Sequence, residues 1–346
     1  MRALLIVNPH ATSTTRPRRD VIARALASAV ELEIVETRYR GHGTSLAADA
    51  AAAGYGLIIT LGGDGTVNEA VNGLMRVPGL ARPALAALPG GSANVFARAL
   101  GLPADPVQAT GQVLAALAGD RFRRIGVGLA DDRYFTFNSG MGLDAEVVRA
   151  VEGRRAHGRS VSPALYMRMA GRQFWRLTDR RAAALHLASP GPDDPGPPGP
   201  GPGAAGPAVR GGDGASPPDL ARGRGGAGRR DADGPLFWCT VSNTAPWTYV
   251  GRRPVQTNPA ASFDAGLDVF GLRSLSTLRT LSTLRQMLSA RRPGPPRGRE
   301  IVSRHDLTAL TVTADRPVAF QIDGEYVGER EQVRFRSVPD ALRVAM

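Results

Sequence analysis

Leu61-Gly62-Gly63-Asp64-Gly65-Thr66-Val67-Asn68-Glu69 is the stretch on which the reading of this chain turns. An apolar, strand-like run over residues 56–61 leads into it, and a helix-like run over 66–75 leads out. The glycines therefore sit at the carboxyl end of a buried strand, where open α/β sheets bind their ligands. Glycine lets a backbone approach a phosphate closely, and the helix behind it offers unpaired N–H groups and the positive end of its dipole. Asp64 adds a carboxylate within reach of a metal ion or a bound nucleotide. The same residues also suit an ordinary glycine turn in which Asp64 or Thr66 caps the helix.

About 28 residues further on the pattern recurs as Leu88-Pro89-Gly90-Gly91-Ser92-Ala93-Asn94, again strand, glycine turn, helix. Ser92 can cap that helix or donate to a phosphate oxygen. Two such junctions favour one shared anion site, and Asn8-Pro9 and Thr37 end strands on the same sheet edge. Working outward, strand-like segments at 3–7, 32–37, 56–61 and 84–88 alternate with helical patterns up to residue 128. That alternation predicts an α/β, doubly wound parallel sheet covered by helices on both faces. From about residue 121 the texture changes. Segments at 134–137, 236–241, 307–313, 318–322 and 332–335 recur without a helix between each pair, which predicts a mostly antiparallel β region with inserted helices.

Composition narrows the chemistry. The chain has 346 residues and a net charge of +12, and all 43 basic residues are arginine. Without lysine there is no Walker A loop, no kinase-type strand lysine and no Schiff base. The charge favours an anionic partner. The single cysteine, Cys239, excludes disulfide frameworks and cysteine-rich zinc sites and suits a reducing cytoplasm. The first residues are too short for a signal-peptide core and no 18-residue apolar run exists, so the expectation is neither secretion by that route nor membrane spanning. The five histidines show no ligand spacing, no serine occupies a G-x-S-x-G elbow, and no motif supports a nucleic-acid partner.

Gly62-Gly63-Asp64-Gly65-Thr66 with Asn68-Glu69, followed by Pro89-Gly90-Gly91-Ser92-Ala93-Asn94-Val95-Phe96-Ala97-Arg98, resembles the diacylglycerol kinase catalytic domain of soluble bacterial lipid kinases, related to sphingosine kinases and more distantly to NAD kinases. The resemblance continues through Asn138-Ser139-Gly140-Met141-Gly142-Leu143-Asp144-Ala145 to Gln321-Ile322-Asp323-Gly324-Glu325. It implies two domains, 1–128 binding the nucleotide and a β-sandwich over 129–346 taking the lipid, with ATP in the cleft between them and the last residues returning to the first domain. Carried over by position, Asn8, Pro9, His10, Ala11, Thr12, Thr37, Gly62, Gly63, Asp64, Gly65, Thr66, Val67, Asn68 and Ser92 line the nucleotide site. Asp323 matches the catalytic base, with Glu325 beside it. By themselves these two residues equally suit a plain hairpin turn.

The implied activity is an ATP- and Mg²⁺-dependent kinase that phosphorylates a hydroxyl of diacylglycerol or a related lipid, with a sphingoid base, a glycolipid or NAD as other acceptors. Phosphoryl transfer needs positioning, Mg²⁺ and a group to accept the alcohol's proton. Two departures, the missing glycine in Pro9-His10-Ala11-Thr12-Ser13 and Val95 where many members carry aspartate, leave open a catalytically silent nucleotide or lipid sensor. Asp264, in Asp264-Ala265-Gly266-Leu267-Asp268, resembles an acidic segment that holds a structural Mg²⁺, although one expected acid is alanine; an ordinary turn is the other reading.

Residues 189–235 hold 25 Gly or Pro among 47 positions and cannot build a packed core. Residues 149–181 carry nine arginines against Glu152 and Asp179, with Arg168, Arg172, Arg176 and Arg180 on one helical face. Such a helix suits the inner face of an anionic membrane as a peripheral contact, or a solvated basic face of the domain. Leu278, Leu281, Leu284 and Leu288 form the apolar side of another helix, expected to face the core.

Overall fold

The computed structural model describes residues 1–11, 15–78, 82–155, 183–188, 234–289 and 294–346. The 189–235 insertion, except its last two residues, and the arginine-rich segment beyond residue 155 lie outside them, as does Thr12. Strands β1 (Arg2–Val7), β2 (Glu31–Glu36), β3 (Leu57–Gly62) and β4 (Ala84–Pro89) alternate with helices α1 (Arg16–Ala27), α2 (His42–Ala52) and α3 (Asp64–Leu74), and α4 (Val95–Ala99) and α5 (Pro106–Ala118) follow β4. The strands pair in parallel in the order β4-β3-β1-β2. Every residue of β3 and β4 is buried, as a sheet covered on both faces requires. β2 is the edge, and its exposed glutamates suit that position. Because β2 lies on one side of β1 and β3 on the other, the chain reverses direction between β1 and β3. A crevice opens there at the carboxyl ends of both strands. Asn8 follows one end and Gly63 the other.

The remaining strands are β5 (Phe122–Ala130), β6 (Arg133–Phe135), β7 (Asn138–Gly142), β8 (Leu185–Ala188), β9 (Trp238–Ser242), β10 (Thr248–Val250), β11 (Arg253–Val255), β12 (Leu267–Leu272), β13 (Ile301–Leu307), β14 (Ala309–Ile322) and β15 (Glu325–Ala345). Among themselves they pair antiparallel. Helices α6 (Leu143–Arg155) and α7 (Thr277–Met287) interrupt them. The α/β class with a parallel amino-terminal sheet and a large antiparallel region is thus the observed architecture.

Two sequence expectations change. The segments at 307–313 and 318–322 form β13's end and a single strand, β14, whose register with β15 shifts between Thr313 and Val318. The short segment at 332–335 lies inside the 21-residue β15. That strand carries the hydrogen bonding from one region into the other: it pairs β14 and β5 antiparallel and meets β4 in parallel at Val344 and Leu85. Ala341, Leu342, Val344 and Ala345 accordingly pack in the core of the first region. A separate cluster around Phe135, Leu187, Val241, Val312 and Phe335 fills the second. The α7 leucines divide: Leu284 and Leu288 pack against a third cluster, whereas Leu278 and Leu281 face outward, contrary to the core placement expected for all four.

Candidate active site

The two glycine junctions touch. The Gly90 N–H donates to the Gly62 carbonyl at 2.7 Å, and a methyl group on Gly91 would fall 2.6 Å from Gly63 Cα. Backbone meets backbone, so neither loop has a side chain that could swing aside. Asn94 braces the second loop: its Oδ1 accepts from Gly91 N and its Nδ2 donates to Gly91 O, both at 2.8 Å. Asn94 holds a left-handed backbone (φ 48°), which asparagine tolerates better than most residues. Ser92 stands exposed at the tip.

The loop after β1 joins from the other side. Asn8 Nδ2 donates to Thr66 Oγ1 at 3.3 Å, and Asn8 Oδ1 accepts from the His10 N–H at 3.0 Å. Pro9 and His10 are exposed, and Ala11 N–H donates to the Asn8 carbonyl. Thr37 N–H donates to Val7 O at 2.8 Å, which keeps Thr37 on the same carboxyl edge. Gly63, Asp64 and Gly65 are half-buried at the start of α3. Asp64 Oδ1 accepts from Phe96 N at 3.1 Å. Burial pushes the Asp64 carboxyl up to about 6, with the nearby Asp323 charge adding to it, while backbone N–H groups of α4 pull the other way.

Two residues assigned to the nucleotide turn inward. Val67 is part of the hydrophobic core. Asn68 is 0% exposed, and its amide is fully engaged inside the protein. Its Nδ2 donates to Asp323 Oδ2 (2.8 Å) and the Tyr134 carbonyl (2.9 Å), and its Oδ1 accepts from Arg133 Nη2 (2.7 Å) and Asn72 Nδ2 (3.2 Å). Asn68 is a joint between α3 and the second region, not a nucleotide-facing side chain.

Asp323 and Glu325 have opposite surroundings although one residue separates them. Asp323 and Gly324 form the β14–β15 turn with φ of 48° and 75°. Asp323 is 3% exposed. Its Oδ1 accepts from Phe137 N (3.0 Å) and Asn138 N (3.2 Å), and its Oδ2 from Thr136 N (2.7 Å), Thr136 Oγ1 (2.8 Å) and Asn68 Nδ2 (2.8 Å). Five donors fill the roughly four lone-pair positions of a carboxylate. Burial still holds its pKa above the usual range. The expected base therefore has no open acceptor position in this arrangement.

Glu325 does. It lies partly exposed against the first turn of α3, so close that a methyl on Gly65 would fall 2.4 Å from its Oε1. Its Oε2 accepts from Arg133 Nη2 at 2.8 Å and from Arg40 Nη2 at 3.1 Å. Arg40 is held in place through Glu69, whose carboxylate takes the N–H groups of Gly41 (2.6 Å) and Gly43 (2.9 Å). Two guanidinium groups thus meet at Glu325, beside the glycine loop that opens α3.

Sequence reading did not single out Arg40, Arg133, Asn72, Thr136 or the bracing role of Asn94. Only the absence of lysine hinted that particular arginines must serve the site.

Asp264 does not fit a metal ligand. It is 62% exposed and ion-paired with Arg123. Among the described residues no group of three or more acidic, histidine or cysteine side chains could hold a metal ion. Asp64 fits better: a half-buried carboxylate beside the loops is the hard oxygen donor that Mg²⁺ takes together with phosphate oxygens. Cys239 is buried and its thiol is pushed up to about 12, so it is no nucleophile.

Residues 2–128 match the diacylglycerol kinase catalytic domain family. A Chromohalobacter salexigens protein named "Probable lipid kinase YegS-like" is 39% identical over 132 residues, 38% of this chain and 41% of its own. The diacylglycerol kinase of Bacillus subtilis is 35% identical over 158 residues, 44% of this chain and 50% of its own. The chain thus matches about half or less of the length of these relatives. The crystal structure of a diacylglycerol kinase from Bacillus anthracis aligns over 99% of this chain and 96% of that one, with a TM-score of 0.65 at 18% identity. That likeness is one of fold. No helix among the described residues is long and apolar enough to cross a membrane.

Proposed function

We propose that the chain is an ATP- and Mg²⁺-dependent lipid kinase that phosphorylates a hydroxyl of diacylglycerol or a related lipid, with 1–128 binding the nucleotide and 129–346 the lipid. One observation carries the reading. The first of two glycine loops in backbone contact lies against Glu325, so an anion cradle and a partly exposed, arginine-paired carboxylate meet from distant parts of the chain. The match of residues 2–128 to the diacylglycerol kinase catalytic domain supports it.

In this reading the N–H groups of Gly63, Asp64, Gly65 and Ser92 face the nucleotide phosphates, and Asn8 and Asn94 keep both loops in shape. Arg40 and Arg133 neutralise the phosphoryl group as it moves. Bound Mg²⁺, held by Asp64 with the phosphate oxygens, supplies further charge neutralisation. Glu325 accepts the proton of the attacking lipid hydroxyl when phosphate draws the two arginines away from it. Asp323 is a positioning residue. It fixes the turn that aims Glu325, and through Asn68 it locks that turn to α3.

ADP release in detergent–lipid micelles with Mg²⁺ tests this. Wild type should release ADP only when diacylglycerol is present, and Glu325→Gln should lower that rate by about a hundredfold or more. Turnover on extracted native lipids but not diacylglycerol keeps the kinase and changes the acceptor. ATP binding without turnover on any lipid defeats the kinase reading in favour of a sensor.

A further inference from the structure

Helix α7 carries leucines on both sides: Leu284 and Leu288 pack inward, yet leucine also stands on its outer face. Its inner side buries Thr280, Thr283 and Met287, while Leu278 is 80% and Leu281 52% exposed. The Thr283 hydroxyl donates only to its own helix, at the Arg279 carbonyl (3.0 Å), and the Thr280 hydroxyl is buried without a hydrogen-bond partner among the described residues. A single exposed leucine is ordinary; two on successive turns above a threonine underside are not. Arg285 extends the same face, seven residues after Leu278, and it too is exposed.

The sequence around the helix is strongly basic. Residues 273–301 carry seven arginines and one acid, Glu300, which accepts from Arg279 at 2.5 Å. Two leucines offer far less surface than the roughly 800 Å² per partner of a stable protein interface. Exposed leucine flanked by surplus arginine is instead the pattern of a helix that lies in a lipid headgroup layer.

We propose that the outer face of α7 docks on an anionic bilayer. Leu278 and Leu281 enter the boundary between headgroups and acyl chains, and Arg285 with the exposed Arg297, whose backbone is bonded to Gln286 of the helix, meets lipid phosphates, their aliphatic stems covering apolar surface. The inner side of α7 belongs to the cluster of Leu143, Val147, Trp238 and Phe270, against which Trp247 packs. The Trp247 carbonyl accepts from Asn138 Nδ2, and the Asn138 N–H donates to Asp323. A chain of contacts thus connects the docking helix to the turn that carries Asp323 and Glu325. The inference stands on α7 itself and holds whether or not the chain proves to be a kinase.

Co-sedimentation of the full chain with phosphatidylglycerol vesicles, and separately with phosphatidylcholine vesicles, at about 0.1 M salt tests it. Wild type should bind the first and not the second. Leu278→Ser with Leu281→Ser should weaken binding about tenfold or more, and Arg285→Gln a few-fold, with thermal unfolding unchanged because these side chains are exposed. Absence of wild-type binding, equal binding to both vesicle types, or a double variant that binds like wild type would overturn the proposal. So would a wild-type dimer in sedimentation velocity that the double variant splits, since the face would then belong to a second copy.

Discussion

Replacing Asp323 by asparagine exchanges one oxygen for an amide nitrogen at a position where all five polar neighbours are donors. The least unfavourable orientation keeps the oxygen toward Thr136 and Asn68 and turns the new NH₂ toward the N–H groups of Phe137 and Asn138. Both of those residues are buried, so two N–H groups lose their acceptor. At about 1–3 kcal/mol each this costs about 4 kcal/mol, and the three surviving bonds lose their charge assistance. Burying a neutral amide instead of a carboxylate offsets part of it, because burial already disfavours the Asp323 charge. A net loss of about 3 kcal/mol is expected, which lowers the urea midpoint by about 1 M if the denaturant slope is near 3 kcal/mol/M. Glu325→Gln breaks only partly exposed pairs with arginine and should stay within about 1 kcal/mol of wild type while abolishing turnover. Urea unfolding followed by circular dichroism at pH 7 separates the two variants. An unchanged midpoint for Asp323→Asn alongside a large fall for Glu325→Gln would refute the division into a positioning and an open carboxylate.

Gly91→Ala should abolish nucleotide binding in titration calorimetry and cost about 1–3 kcal/mol in stability, because the new methyl meets the Gly63 backbone; nucleotide affinity within a factor of two of wild type would show that the loops do not form one cradle. Asp144, buried beside Gln321 and Thr240, is pushed up to about 6 by burial, above the 3.8 of the unfolded chain. The folded carboxyl therefore holds its proton more tightly, so the associated stability is present below about pH 4 and lost as pH rises through about 6. Asp144→Asn removes that dependence, and its stability relative to wild type should improve by up to about 3 kcal/mol between pH 4 and pH 7. Parallel stability curves for the two proteins across that range would contradict this.

Much of the fold was legible because its signals are local. Buried runs such as those of β3 and β4, glycine turns after them and helices behind specify a parallel sheet through chemistry that spans about ten residues. The place of the glycine loops at the carboxyl edge follows from the same signals. Local periodicity could not reveal β5, whose last six residues are all buried and so do not alternate, or the length of β15, whose exposed polar run at 329–332 interrupts the pattern. Nor could it tell which side of α7 faces the core, because that depends on which neighbours the helix packs against.

The sequence by itself determined the residue types available to the site: glycine loops, two carboxylates on one turn, and arginine as the sole basic side chain. The tertiary structure alone decided their roles. Asp323 and Glu325 look interchangeable in sequence, but antiparallel pairing of β7 with β14 delivers the N–H groups of residues 136–138 to one carboxylate and leaves the other to Arg40, 285 residues away. Asn68 looks like a nucleotide contact until the β5–β6 hairpin brings Arg133 and Tyr134 onto it. A carboxylate's partners are chosen by strand register across hundreds of residues, and no local pattern carries that information.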